Sequence, residues 1–265
     1  MTAEKSLKEV LAAHAAGRLS TDDALDLISG LRIEQVGELA RIDLGREMRC
    51  GIPEVVLAEG KETADLVSIM ERHCAAAGRC LATRVTPAQA EEVALAAGAA
   101  GLSCRYEERA RTLVLSNGRE PAKSGGIVGI LTAGTADIRV AEEARVVAEE
   151  MGCEVLTAYD VGIDDGDVGA AGVHRLFPAL KDLSKAHVFI VAAGREGTLP
   201  AVVAGLVDRP VIGVPVSTGY GYMGQGQAAL ASMLQSCAVL TVVNIDAGFV
   251  AGAHAAQIAA LAGRR

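Results

Sequence analysis

The stretch IVGILTAGTADIRVAEEARVVAEEMGCEVLTAY, residues 127–159, decides the fold. Its first eight residues, 127–134, form a near-continuous apolar run, as a strand buried on both faces requires. From Ile138 to Met151 the apolar positions recur at helical spacing with charged residues between them. Residues 154–159, EVLTAY, then return to strand texture. A strand, a helix and a second strand in about 30 residues make a βαβ unit, whose strands run parallel.

The same alternation continues towards the C-terminus. A helix is expected over Asp167–Leu183, a strand at HVFIVAAG (187–194), a helix over Leu199–Val207 and a strand at PVIGVPV (210–216). A helix over Gln227–Ser236, a strand at VLTVVNI (239–245) and a terminal helix through Leu261 complete the series. The expected fold class is α/β, a doubly wound parallel sheet spanning residues 121–265. Upstream, residues 1–120 read as a smaller α/β domain behind a helical arm. The arm has helical texture from Ser6 to about Ala40. Strands follow at 54–60 and 79–85, helices at Thr63–Ala77 and Pro87–Ala97, and a strand pair at 101–107 and 111–115. The Gly-, Ser- and Pro-containing stretch 116–126 suits the linker between the two.

Composition narrows the function. Over 265 residues, 51% are hydrophobic and 22% charged, which is enough apolar content for a substantial core and excludes a disordered chain. Lys and Arg number 25 against 33 Asp and Glu, giving a net charge of −8 with no basic stripe; aromatics are 3% and Trp is absent. Nucleic acid, which needs cationic patches and stacking platforms, is not an expected partner. Neither is a membrane, because no run reaches the ~18 uncharged apolar residues of a span. The start, MTAEKSLKEV, has no apolar h-region, so the expected address is the cytoplasm. The six cysteines (50, 74, 80, 104, 153, 237) show no CxxC or metal-ligand spacing and read as reduced thiols.

In an open parallel sheet the ligand crevice lies beyond the carboxyl ends of the strands. Four strands run there into Gly-rich turns: AGTAD (133–137), AAGREGTLP (192–200), VSTGYGYMGQG (216–226) and NIDAGFVAG (244–252). Each turn opens a helix, so backbone N–H groups would converge on an anionic ligand such as a phosphate or carboxylate. Tight turns alone also call for glycine, but four at one edge favour a site. Neither a GxGxxG after the first strand nor a P-loop is present. Asp137 and Glu196 are the carboxylates at these ends; helix capping competes with a chemical role at Asp137. Asp164, Asp165 and Asp167 form an acidic run that offers Mg2+ ligands, although capping and solvation account for such runs more often.

Residues 126–216 resemble the phosphoribosyl-aminoimidazole carboxylases of purine synthesis, through GTAD, AAGREGTLPAVVAGL and PVIGVPV. The chain departs from them where their chemistry lies. Tyr159-Asp160 stands for their His-Arg pair, and Arg195-Glu196-Gly197-Thr198 stands where their Ala-Ala-His precedes Leu-Pro-Gly. From about residue 40 to the end the chain is more similar to the LarB family, the pyridinium-3,5-biscarboxylic acid mononucleotide synthases of nickel-pincer cofactor synthesis. RCGIPEVVLAEGK (49–61), TAGTADIRVAEEA (132–144), EGTLPAVVAGL (196–206), VSTGYGYMGQGQAAL (216–230), MLQSCA (233–238) and NIDAGFVAG carry that resemblance. Val250 and Arg195 are departures from it, Arg195 replacing a more usual apolar residue.

This resemblance implies carboxylation of C5 of the pyridinium ring of nicotinic acid adenine dinucleotide and hydrolysis of its phosphoanhydride, with CO2 or bicarbonate as co-substrate and no organic cofactor. Mg2+ is a candidate for the hydrolytic step. Cys237, in MLQSCA, is the implied nucleophile; without the resemblance a helix-terminal cysteine reads as a buried small hydrophobe. Glu196 or Asp137 would orient the ring or take the C5 proton. Thr135, Gly194, Gly197, Ser217 and Gly221 would line the pocket, and Arg49 and Lys61 would grip the adenylate phosphates, unless they form an ordinary surface salt-bridge set. A homo-oligomer is expected, with an octamer as one candidate. The alternatives are an aminoimidazole ribonucleotide carboxylase or mutase, or a non-catalytic nucleotide-binding subunit.

Overall fold

The computed structural model describes residues 3–29, 33–162 and 173–264. The chain divides into two units, Met1–Ala122 and Lys123–Arg265.

The second unit is an α/β layer structure. Its sheet contains β7 (Ile127–Thr132), β8 (Glu154–Ala158), β9 (Val188–Ala193), β10 (Val211–Pro215) and β11 (Thr241–Val242) in the order β11-β10-β9-β7-β8. All pairs are parallel. The helices are α6 (Ile138–Glu150), α7 (Val173–Asp182), α8 (Thr198–Leu206), α9 (Gln227–Gln235) and α10 (Gly248–Gly263). Strand periodicity assigns the two faces: Val188, Ile190 and Ala192 of β9 pack with α6 and α10, while Phe189, Val191 and Ala193 pack with α7, α8 and α9. Both faces are therefore buried, and that is why the strands read as unbroken apolar runs. The order turns at β7, whose successor β8 lies on one side and β9 on the other. The crevice at such a switch point opens beyond the carboxyl ends of β7 and β9.

Helix α10 lies directly against α6 through small residues. A Cβ on Gly252 would come within 2.5 Å of the Ala144 carbonyl oxygen, and one on Gly248 within 2.4 Å of that of Val140. Ala251, Ala255, Ala256 and Ala259 fill the remaining contact with the sheet side.

The expected strand at 239–245 shortens to two paired residues, Thr241 and Val242, against Ile212 and Gly213. It is an edge strand, and Val239 ahead of it is 94% exposed, so no described strand on its outer side holds the flanking apolar residues in a ladder. For the helix expected from Asp167, the structure describes Val173–Asp182; the rest lies outside the described residues.

The first unit has two helices, α1 (Ala3–Ala15) and α2 (Thr21–Ser29), then a hairpin of β1 (Ile33–Val36) and β2 (Ala40–Asp43). The helical texture expected up to Ala40 is therefore replaced by strand from Ile33. Beyond it, Val36 and Ile42 are buried among exposed or half-buried neighbours, the period-two pattern of a strand, and Gly37 turns the chain at φ 52°. After α3 (Arg46–Cys50), the elements β3 (Val55–Leu57), α4 (Thr63–Ala77), β4 (Arg79–Thr83), α5 (Pro87–Ala99), β5 (Ser103–Glu107) and β6 (Thr112–Ser116) build a four-stranded mixed sheet ordered β3-β4-β6-β5. Leu66, Met70, Val85, Val93, Leu113 and Leu115 form its core. Thr86 starts α5 with a capping box closed by Gln89.

Placing a valine at Gly252 is expected to lower stability by about 1–3 kcal/mol, because the backbones of α6 and α10 must part to admit it. A urea midpoint equal to that of the parent would contradict this packing.

Candidate functional site

At the switch point the turns after β7, β9 and β10 meet around one side chain. Asp137 ends the short turn between β7 and α6 and is 5% exposed. Its Oδ2 accepts the Gly134 backbone N–H at 2.9 Å, and its Oδ1 accepts the Thr218 hydroxyl at 3.1 Å. Asp137 thus bonds back into its own turn and across to the β10 loop rather than capping α6, where it makes no side-chain cap bond. Burial pushes its carboxyl above the usual carboxylate range, and the charges of Asp160 and Asp246 push the same way; the Gly134 and Thr218 hydrogen bonds oppose this without cancelling it.

Glycine is required on the facing turn. A Cβ on Gly194 would fall 2.4 Å from Thr218 Oγ1 and 2.9 Å from Asp137 Oδ1, and one on Gly219 would fall 2.0 Å from the Gly194 carbonyl oxygen. The β9 and β10 turns therefore touch backbone to backbone with the carboxylate between them and β7. Asp246 closes the edge on the far side: Oδ1 accepts the Ser217 backbone N–H at 3.0 Å, and Oδ2 lies 3.8 Å from Arg139. Asp246 holds φ 54°, a left-handed conformation that positions its side chain over the β10 turn. Asp160, after β8, also sits at positive φ (58°) and pairs with Arg175 at 3.5 Å.

The candidate residues separate into three groups. Asp137, Gly194 and Ser217 belong to the connected cluster just described. Thr135, Gly197 and Gly221 lie on the same turns; Thr135 and Gly221 are exposed, and Gly197 at φ 71° packs against the Ala229 backbone. Glu196 is exposed beside them and has no ion pair among the described residues. Cys237 forms the second group. It follows α9, which returns from the carboxyl edge, and precedes β11, whose Thr241 pairs with Ile212 near the start of β10. The exposed thiol consequently lies towards the amino edge of its own sheet, about 16 Å of strand from the Asp137 cluster. Arg49 and Lys61, the third group, belong to the first unit; Arg49 makes a bidentate pair with Asp43, and Lys61 is exposed.

Thr218 and Asp246 were not singled out from the sequence, although both stand in quoted motifs. A hydroxyl and a carboxylate within Gly-rich turns are the signal that was available. At the position of the purine carboxylases' His-Arg pair, the Tyr159 hydroxyl bonds Glu142, which is held in turn by Arg145. Burial and the Glu142 contact push the phenol up, so Tyr159 stays protonated and supplies no imidazole-like base. Asp164, Asp165 and Asp167 lie outside the described residues, and among those described no group of three or more His, Cys, Asp or Glu could hold a metal ion. No described helix is long and apolar enough to cross a membrane. The first unit also has a recess of about 540 Å³ bordered by Val36, Leu39, Ser68, Arg72 and Leu102, none of which the motifs include.

Comparison with known proteins assigns each half a relative. Residues 33–117 match a family model described as the LarB/PurE-like N-terminal domain, and residues 127–265 match one described as AIR carboxylase. An uncharacterised protein of Methanocaldococcus jannaschii is 41% identical over 260 residues, 96% of this chain and 97% of that one. The N5-carboxyaminoimidazole ribonucleotide mutase of the same organism is 34% identical over 140 residues, 51% of this chain and 80% of the mutase.

Replacing Asp137 by Asn keeps an acceptor for Gly134 and removes the buried charge. A carboxyl with a raised folded-state pKa contributes stability below its unfolded pKa and loses that contribution as pH rises through the folded value. The Asn variant is therefore expected to gain on the parent as pH climbs past the ordinary carboxylate range, as read from urea midpoints at several pH values. A parent that gains on the variant with rising pH would contradict the assignment.

Proposed function

We propose a specific carboxylation for this chain, which belongs to the LarB-like branch of the AIR carboxylase family and is a carboxylase- or mutase-type enzyme. The substrate we assign is nicotinic acid adenine dinucleotide, and the products are pyridinium-3,5-biscarboxylic acid mononucleotide and AMP. The observation that carries this reading is the pairing of a LarB/PurE-like N-terminal domain with a carboxylase domain that has Tyr159-Asp160 and Arg195-Glu196-Gly197-Thr198 at the histidine-bearing positions.

A pyridinium carbon is electron-poor and does not attack CO2. The Cys237 thiolate adds to C4 of the ring, and the resulting dihydropyridine has an enamine carbon at C5. C5 bonds to CO2, leaving a C6–N iminium; a base takes the C5 proton and restores the enamine, which then expels the thiolate and regains aromaticity. A series of feasible steps replaces one forbidding one. Asp137 or Glu196 serves as the base. Asp137 suits proton transfer because burial raises its carboxyl from the ordinary value. Water then cleaves the phosphoanhydride and releases AMP.

Cys237 and Asp137 lie towards opposite sheet edges of one subunit, so this mechanism needs Cys237 from a second copy to reach the carboxyl edge of the first. Exposed Leu234, Cys237 and Val239 beside the two-residue edge strand supply an apolar surface for that contact. A homo-oligomer in the cytoplasm is part of the proposal, and the helix dipole at the end of α9 leaves thiolate stabilisation to the cationic ring or the neighbouring copy.

The mutase relative favours a second reading, turnover of N5-carboxyaminoimidazole ribonucleotide, which would not involve Cys237. The two separate in one experiment: incubation with the dinucleotide and labelled bicarbonate, followed by mass analysis of small molecules and protein. The expected outcome is a labelled dicarboxylated mononucleotide with AMP, reduced by about three orders of magnitude or more in Cys237→Ala. An intact dinucleotide beside active turnover of the aminoimidazole ribonucleotide would overturn the proposal.

A further inference from the structure

We propose that Arg195, stacked on Tyr220, is the diphosphate-binding residue that selects a dinucleotide over a mononucleotide at this site. The inference rests on the dinucleotide reading above and deepens it.

The carboxyl edge is unfavourable to an anionic substrate. Asp137, Asp160 and Asp246 stand there in a chain of net charge −8. Two of the three arginines at this edge already face carboxylates: Arg139 lies 3.8 Å from Asp246 and Arg175 3.5 Å from Asp160. Among the described residues, Arg195 is the arginine at this edge with no carboxylate partner. Its guanidinium instead lies 5.1 Å from the centroid of the Tyr220 ring. A cation–π contact of this kind orients the plane and leaves the N–H fork open, whereas an ion pair would occupy it.

The surroundings support an anion at that fork. Arg195 directly follows Gly194, whose neighbourhood admits no Cβ, and directly precedes the turn into α8. Helices α8 and α10 begin at this edge without a side-chain cap, α8 from a glycine at φ 71°, whereas the first two N–H groups of α9 already donate to the Gly224 and Met223 carbonyls. Uncapped N-termini leave N–H groups for anionic oxygens. Arg195 and Tyr220 are exposed at the rim, while Asp137 is buried within. A substrate with its ring towards Asp137 would pass its phosphoanhydride across that rim. Two adjacent phosphates match a planar bidentate fork flanked by helix N-termini, whereas a mononucleotide offers only one.

The test uses the full-length protein and inorganic pyrophosphate as probe, by calorimetry. Arg195→Met is expected to weaken pyrophosphate binding about 10–100-fold, the usual worth of hydrogen bonds to a charged group. Arg195→Lys should recover part of the loss, and Tyr220→Leu should cost less than Arg195→Met. In steady-state assays Arg195→Met should raise KM for the dinucleotide by a similar factor, with kcat falling less than KM rises. Arg195 is exposed, so the thermal midpoint should not move, which separates lost binding from lost folding. Equal pyrophosphate affinity in parent and Arg195→Met, or no binding by the parent, overturns the inference whatever the carboxylation assay shows. Arg195-dependent pyrophosphate binding without dinucleotide turnover supports it and places the failure in the assigned reaction.

Discussion

A carboxylate kept from water at the switch point of a parallel sheet governs the rest of the molecule's active half. Asp137 is costly to bury charged, and the surrounding structure offsets that cost with one backbone N–H and one hydroxyl. Those donors arrive only if the turns after β7 and β10 close on the turn after β9. They can close only because Gly194 and Gly219 carry no side chains. The helices that follow these turns begin where the turns end, so their N-termini face the same crevice. One constraint thereby sets the strand-end glycines, the chain direction and the electrostatics of the mouth.

Much of this was legible in the sequence because burial on both faces erases strand alternation. Residues 127–131 and 188–193 carry no polar side chain. Legibility failed where packing rather than pattern decides. Residues 33–43 carry a weak period-two signal in which Val36 and Ile42 alone are buried, and it was absorbed into the helical texture before it. Residues 239–245 are β-prone, yet propensity cannot supply the missing neighbour at a sheet edge. In the site, the motifs pointed to the right turns but not to all the right atoms. Thr218 and Asp246 matter through partners 81 and 29 residues away, a relation invisible to local spacing.

Two features distinguish this chain's edge from one built for imidazole chemistry. Tyr159 is committed to Glu142, itself held by Arg145, so the second strand end contributes rigidity rather than a titrating base. The third strand end contributes Arg195, Glu196 and a run of backbone N–H groups. A buried carboxylate and a cationic rim are the features that the proposed substrate, with a reactive ring at one end and phosphates at the other, would meet. Cys237 lies apart from them, because α9 carries the chain away towards the other side of the sheet.

That separation makes oligomer composition the most direct probe of the account. Cys237→Ala and Asp137→Asn subunits, each expected to be inactive alone where Asp137 is the base, would be co-expressed or refolded together and assayed for dinucleotide carboxylation. With the thiol and the carboxylate contributed by different copies, about a quarter of the sites formed by chance pairing hold both intact groups, and activity returns. Mixed oligomers as inactive as either variant alone would mean that the two groups do not meet across a subunit boundary, and the account would fail.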